Sequence, residues 1–546
     1  MVSALVGATV LVALAAFVRV RAAPAAAADL KPRPDALEYG VAARSLVEHG
    51  EYALPIGETR YPPRYPPGFA LLSAPFVAAA GGDPSAVRDA AFVFGLLGVL
   101  ITFALGIVAA GILGGWVAGA VVALSPLAVE QSALAMSETA SAMLVGGALL
   151  AAALALWRRE PDATRSGMLW LAGVAVAASA TLRYTNLAPW LPILLFFGTR
   201  HAFAPTTSRL RALAAVVLPV VSVLGALAVF HYTRFGHPLH DGYRFWVPEV
   251  YENRGLVLSA RYVTQGIPGY WEHGHLSVYG AELTGRGGLY SIVAAALAGL
   301  GLLRFLFLSG RCPVARWLAL ASLTMLPAMV LFHLVYFWQD PRFLVSLLPL
   351  LAVLAGSGAE AIRALVAGRD PTRTRTAASV TVGVLALAAT VLAPARTLSP
   401  TVFPDHRRAP PPSLLDRLPT LDAELERDSI VIVDFPVTLA VPALGDRREI
   451  IVADRDRTDP HLNRIARHGL VSLDGDVPSI RALAAGEFLD EETFAHVVRF
   501  AHEGRPVYLI TTAGEVPALA AVRELGRRCR MVEQFARPPF TVHRAE

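Results

Sequence analysis

The sequence predicts a polytopic α-helical membrane protein with a soluble α/β domain at its C-terminal end. Three observations carry this. Hydrophobic residues fill 55% of the 546 positions and charged residues 17%, against about 25% charged in soluble domains. Long apolar runs with few charges recur from the N-terminus to about residue 396, as bilayer-spanning helices require. Residues 397–546 are rich in Asp, Glu and Arg and hold no such run, which predicts a separate domain of ordinary size.

In chain order the expected spans are 4–20, 89–110, 113–129, 138–157, 167–182, 186–199, 210–231, 288–308, 316–337, 342–363 and 376–395, about eleven helices. They give a membrane domain, 1–396, interrupted by two large loops at 21–88 and 232–287, and a tail at 397–546. Arginines in the short loops set the orientation. Arg158, Arg159 and Arg165 share one loop, and Arg200, Arg209, Arg304, Arg311, Arg369, Arg373 and Arg375 fall on the same side. The opposite short loops carry only Arg183 and Arg342. The positive-inside rule makes the Arg-rich side cytoplasmic, so both large loops and the tail are expected outside the cytoplasm. Arg19 and Arg21 at the far end of the first span run against this, and a cleaved signal peptide ending near AAPAAAA is the alternative reading of that segment.

Gly111, Gly115 and Gly119 are spaced for close helix packing. In the tail, SIVIVDF (429–435), REIIVAD (448–454) and RPVYLIT (505–511) read as strands, and 491–503 reads as a helix, an α/β layering. The chain has no GxGxxG, Walker A or GxSxG pattern. Its DxD strings, Asp454–Asp456 and Asp474–Asp476, lie in charged stretches where such strings arise by chance. Cys312 and Cys529 form no CxxC pattern and are expected on opposite sides of the membrane, so they should not pair. The net charge of +5 comes almost entirely from Arg, with Lys31 the single lysine. No basic stripe accompanies it, which argues against nucleic acid as a partner.

The chemistry candidates begin with RPDALEYGVAARSLVEHG, residues 33–50. Asp35 and Glu38 have capping-box spacing, Asp as N-cap and Glu three residues on. Tyr39, Ala43 and Leu46 would then share one face of a short helix on the membrane surface. A capping role for Asp35 is compatible with a catalytic one. The loop continues to TRYPPRYPPGFALLSAPF at 59–76. Further along, AMSETASAMLVGGALLAA (135–152) puts Glu138 at the start of a span, and YFWQDPRFLVSLLPLLAVLAG (336–356) puts Arg342 and Phe343 at the start of another.

In this order the three stretches resemble the membrane glycosyltransferases of the GT-C fold, and most of all the family 39 group of protein O-mannosyltransferases and aminoarabinose transferases. The matching residues of the first loop are Asp35, Tyr39, Ala43, Arg44, Tyr65, Pro66, Pro67 and Gly68. One departure is Ala36, where members of the group often carry Glu after the Asp. The tail lies outside this resemblance. What it implies is transfer of a sugar from a polyprenyl-phosphate donor to an acceptor hydroxyl, with inversion, on the non-cytoplasmic face. Asp35 would be the catalytic base. Arg342, and with weaker support Arg183, would hold the donor phosphate. Glu38, Tyr39, Tyr65 and Glu138 would support the site.

Each assignment has a plainer counterpart. Arg342 also reads as an interfacial anchor, and Glu138 as a helix cap, an orienting partner for Asp35 or a metal ligand. Loop 232–287 holds Tyr243, Phe245, Trp246, Tyr251, Tyr262, Tyr270 and Trp271, which suit either sugar stacking or an aromatic belt. His237, His240 and Asp241, with Glu272, His273 and His275, match no standard metal spacing. A divalent ion is therefore a candidate cofactor without an assigned ligand set, and His333 reads as a packed polar residue. The expected partners are a polyprenyl-phosphate-linked sugar, a lipid, glycan or protein acceptor, and membrane lipids. Two other classes stay open. A transporter or flippase would be marked by internal repeats or midplane charges, which the sequence lacks. A non-catalytic envelope assembly protein would leave Asp35 facing only its own helix.

Overall fold

The computed structural model describes residues 2–27, 34–56, 59–157, 162–198, 206–246, 251, 254–264, 288–337, 340–368, 373–402, 421, 423–433, 449–452, 480–482, 491–512, 525–537 and 540–545. The chain forms two compact units, each assembled from separate stretches. One comprises Met1–Ala23, Arg88–His240 and Asn253–Arg407, and the other Pro24–Val87, Asp241–Glu252 and Arg408–Glu546.

The first unit is helical. Among the described residues seven helices are long and apolar enough to cross a membrane: Val2–Ala22, Pro84–Leu124, Glu138–Leu156, Arg165–Leu182, Leu210–Phe235, Pro313–Val335 and Pro341–Ala367. The second is not continuous. Gly111 sits at φ +80° and ψ −171° inside it, a left-handed conformation that glycine adopts without Cβ strain. The helix there folds back on itself. A Cβ built at Gly106 would lie 2.8 Å from Gly114 O and 2.9 Å from Gly115 Cα, and one at Gly119 would lie 3.3 Å from Phe103 Cβ. Gly115 and Gly119 thus serve the close packing their spacing suggests, whereas Gly111 makes the turn. Three shorter apolar helices, Tyr184–Phe197, Ile292–Leu308 and Thr376–Val391, complete this unit. Described helices lie along all eleven expected stretches, with 89–110 and 113–129 sharing Pro84–Leu124, and seven of these helices are long and apolar enough to cross. This is a multi-pass membrane protein.

Helix α1 (Val2–Ala27) explains the discordant arginine. Arg19 is 1% exposed. Its guanidinium donates to Ala123 O at 3.0 Å and Val122 O at 3.4 Å. These are terminal carbonyls of α4 (Val87–Leu124). Nε also donates to Ser132 Oγ at 3.0 Å, on α5 (Pro126–Ala133). Helix C-termini leave such carbonyls without partners and carry partial negative charge. Arg19 is therefore a buried helix cap rather than a loop charge.

Beyond the hairpin, α6 (Glu138–Trp157) packs on α7 (Asp162–Leu182), and α9 (Thr206–Phe235) packs on both α7 and α8 (Trp190–Gly198). Trp317, Phe196, Phe197, Phe305 and Leu354 fill the shared apolar core.

The second unit holds α2 (Pro34–His49), a hairpin of β1 (Leu54–Ile56) and β2 (Thr59–Tyr61), and α3 (Gly68–Ala79). It also holds the short helix α10 (Gly242–Trp246) and the tail. The tail sheet has six strands in the order β5-β4-β3-β6-β8-β7. These are β3 (Ile430–Val433), β4 (Glu449–Val452), β5 (Ile480–Ala482), β6 (Val507–Thr512), β7 (Met531–Arg537) and β8 (Phe540–Ala545). Strands β5, β4, β3 and β6 run parallel, and β8 and β7 close the edge antiparallel. A parallel strand buried on both faces reads as a continuous apolar run, and all four residues of β3 are buried. The helix Glu491–His502 covers the sheet, placing Val497 and Phe500 against Ile430, Ile432 and Leu509. The three expected strands and the expected helix are present. Strand β5 and the β7–β8 hairpin are additional.

Candidate functional site

The predicted site residues fall into two clusters, one in each unit. In the second unit, α2 begins before Asp35, which lies in the first turn rather than at the cap. The spacing that suggested a capping box instead puts Asp35 and Glu38 on one helix face, turned to the Tyr-Pro-Pro segment. Asp35 is 6% exposed and Glu38 1%. The Tyr65 phenol donates to Asp35 Oδ1. Arg64 Nη2 reaches the same oxygen at 3.1 Å and donates to the Tyr65 hydroxyl. Glu38 Oε1 accepts from the backbone N–H groups of Arg64 and, at 3.2 Å, Tyr65. Arg64 Nε lies 3.8 Å from Glu38 Oε2. One guanidinium thus answers two buried carboxylates.

The local fold explains this registration. Pro66 and Pro67 have no N–H, so the segment cannot zip into a strand. Its carbonyls are held by the Tyr52 hydroxyl, which donates to Tyr65 O at 2.8 Å with Pro66 O 3.3 Å away. Aromatic packing fixes the ring. Tyr65 lies 4.9 Å from Tyr39 and meets Tyr243 edge-on at 5.5 Å, while Tyr39 meets Phe69 at 4.9 Å. From the second large loop, Trp246 Nε1 donates to Pro62 O at 2.7 Å, and a Cβ on Gly242 would stand 2.6 Å from Arg64 Cα. Burial, with Asp35 close by, pushes the Tyr65 phenol well above its ordinary value, against the pull of Arg64. It stays a neutral donor. Burial alone lowers Arg64, but the Tyr65, Glu38 and Asp35 oxygens outweigh it and raise the guanidinium.

In the first unit, Glu138 opens α6 and is 1% exposed, where the positive end of the helix favours a carboxylate. Arg183, just past α7, donates through Nη2 to Glu138 Oε1, and its Nε lies 3.4 Å from Ser137 Oγ. The following turn is pinned by Asn186, whose Nδ2 donates to Ser141 Oγ and Ser179 O, each at 3.0 Å. Arg342 belongs to the 3₁₀ turn Pro341–Leu347. Its Nε is 3.7 Å from Glu138 Oε1 and 3.2 Å from Asp340 Oδ2. Asp340 also accepts the Arg342 N–H at 3.0 Å, capping the turn. Both guanidiniums lie over the Phe343 ring, at 4.8 Å for Arg183 and 5.3 Å for Arg342. The ring of His333 stacks on Phe343 at 5.0 Å. Two cations against one aromatic ring suit an anion, and they oppose a divalent ion at Glu138. Among the described residues no three His, Cys, Asp or Glu side chains gather to hold a metal.

Sequence reasoning missed Arg64 and Asp340. Arg44, matched to the family pattern, pairs instead with Glu48 at 2.7 Å on the exposed face of α2. The rings of His237 and His240 lie 4.4 Å apart, tilted by 32°. Tyr270, Trp271, Glu272, His273, His275 and both DxD strings lie outside the described residues.

No protein-family model matches the sequence, and no curated protein matches it. Solved structures do. ArnT from Cupriavidus metallidurans, crystallised bound to undecaprenyl phosphate, superposes with a TM-score of 0.60 over 98% of this chain and 97% of that one, at 13% identity. Its apo form gives the same TM-score at 12% identity. The fold is GT-C. The apo oligosaccharyltransferase of Archaeoglobus fulgidus aligns with a TM-score of 0.54 over 92% of this chain and 69% of its own, at 12% identity. The GT-C likeness to ArnT takes in the tail, which the sequence motifs leave out.

Proposed function

We propose that the chain is an integral membrane glycosyltransferase that moves a sugar from a polyprenyl-phosphate donor to an acceptor hydroxyl, with inversion, on the non-cytoplasmic face. The observation that carries the reading is Asp35, a buried carboxylate outside the spans, oriented by Tyr65 and Arg64. A helix cap needs neither partner, and a positioned base needs both. The full-length likeness to a structure bound to undecaprenyl phosphate supports the donor class. The Arg-rich loops support the orientation, with the membrane domain 1–396 carrying the chemistry and 397–546 lying outside the cytoplasm.

In this reading the acceptor oxygen attacks the anomeric carbon from the face opposite the phosphate. The carbon–oxygen bond to the phosphate breaks, and polyprenyl phosphate leaves with the electron pair. The acceptor proton passes to the Asp35 carboxylate. Tyr65 and Arg64 hold Oδ1 in place, and Arg64 compensates the charge of both carboxylates until the proton arrives. Arg342 and Arg183 bind the phosphate through paired N–H groups. Tyr39 and Glu38 support Tyr65 and the 64–65 backbone. The acceptor class is a lipid, glycan or protein hydroxyl.

The test is sugar release from a panel of radiolabelled polyprenyl-phosphate sugars by purified protein in lipid, comparing wild type with Asp35→Asn. The substitution preserves size and removes the base. Wild-type turnover that falls by about 100-fold or more in a well-folded variant supports the reading. Equal turnover removes Asp35 from the mechanism, and no turnover across the panel removes the enzyme reading.

A further inference from the structure

The first-unit cluster contains more negative charge than a phosphate site needs. Among the described residues Arg183 and Arg342 face two carboxylates, Glu138 and Asp340, and these four groups sum to zero. Glu138 Oε2 is buried and makes no hydrogen bond among the described residues. A buried carboxylate oxygen of this kind carries a desolvation cost, which structure alone does not require at a position where Gln would fill the same space.

Resting on the reading that Arg183 and Arg342 hold the donor phosphate, we propose that Glu138 is a specificity-determining residue that makes this site favour the donor over the spent lipid phosphate. The two ligands differ in charge. A sugar-linked phosphodiester carries one negative charge, whereas the phosphomonoester left after transfer carries up to two at neutral pH and above. Glu138 competes for the same guanidinium N–H groups and repels whatever anion occupies them. The push of Glu138 and the pull of the guanidiniums both scale with ligand charge, so Glu138 cancels more of the dianionic product's attraction than of the monoanionic donor's. Asp340, 3.2 Å from the same Nε of Arg342, adds the same sign of field. The ring of Phe343 keeps both guanidiniums gathered while the anion exchanges.

The experiment uses full-length protein in lipid nanodiscs at pH 8 and measures binding of two probes, undecaprenyl phosphate and its methyl ester, which stays monoanionic. Wild type is expected to bind the ester about tenfold tighter. Glu138→Gln should tighten undecaprenyl phosphate about tenfold while moving the ester less than threefold, closing the gap. In turnover assays the same variant should show stronger product inhibition with donor KM little changed. If Arg342→Gln weakens both probes but Glu138→Gln shifts them equally or not at all, the Glu138 proposal is overturned and the phosphate site stands. If Arg342→Gln changes neither probe, the phosphate reading itself falls and the proposal with it. Should Glu138→Gln fail to fold, the wild-type comparison decides alone, since equal affinity for the two probes overturns the proposal.

Discussion

The phenol of Tyr65 donates to Oδ1 of Asp35 from 30 positions along the chain, and the ring is held apart from that bond by Tyr39 and Tyr243. The two functions of the side chain are therefore separable. Tyr65→Phe keeps the ring contacts and deletes one donor to a charged acceptor, a change of about 1.5–3 kcal/mol. On the proposed reaction, kcat should fall about 10- to 100-fold with donor KM within about threefold. Unchanged kcat in a sugar-release assay would detach Tyr65 from the chemistry.

Arg64 is the cation for two buried carboxylates. Arg64→Met leaves Asp35 and Glu38 without it, and breaking a buried pair from one side costs about 3–5 kcal/mol. Thermal melting in lipid should drop by several degrees, with the 59–67 segment becoming protease-sensitive. Arg64→Lys should fall between, since one ammonium cannot reach both carboxylates with the geometry of a guanidinium. Adding Glu38→Gln to Arg64→Met should recover part of the loss. A double variant as unstable as the sum of its parts contradicts the shared-cation account.

Helix existence was legible because apolar length alone predicts a span, and Asp35 was legible because its motif was. Its true partner was not. Arg64 lies between two Tyr-Pro-Pro blocks with no periodicity to report which way it faces, and the β1–β2 hairpin with the prolines folds it back over α2. Charge accounting offers a signal, because two carboxylates three positions apart at a helix start need a cation nearby once they are buried. Asp340 had a local signal too, an Asp-Pro at a helix start with proline at the first position. The β7–β8 hairpin was obscure because a bulge between Glu533 and Phe535 breaks the alternation on which strand reading depends.

His543 on β8 stands opposite Leu509 on one side and Glu533 on the other. Burial lowers its pKa from the ordinary 6.5, with Glu533 pulling the other way. With a depressed folded value, the unfolded chain takes up the proton first, so stability present above about pH 6.5 is lost as pH falls below it. Hydrogen exchange of β6 and β8 amides, corrected for intrinsic rates, should show protection weakening between about pH 7.5 and 5. His543→Asn should flatten that slope, and an identical slope in the variant assigns the loss to other groups.

The helices α11 (Gly288–Leu308) and α12 (Leu348–Ala367) cross through glycines. A Cβ on Gly358 would overlap Leu297 O and lie 2.7 Å from Leu297 C, and one on Gly301 would lie 2.7 Å from Leu354 C. The obstructing atoms are backbone, so no rotamer change relieves them and the helices must separate. Overpacking of this kind costs about 1–3 kcal/mol or more, and without a hydrophobic drive between lipid-embedded helices the lost close packing is not replaced. Gly358→Ala should lower the melting temperature in lipid by several degrees. Gly225→Ala, on α9 with open space around it, should leave melting unchanged or raise it slightly, since Ala gains up to about 1 kcal/mol of helix propensity over Gly. If both variants melt alike, backbone approach at this crossing does not limit stability, and the small residues there serve insertion or assembly rather than the folded state.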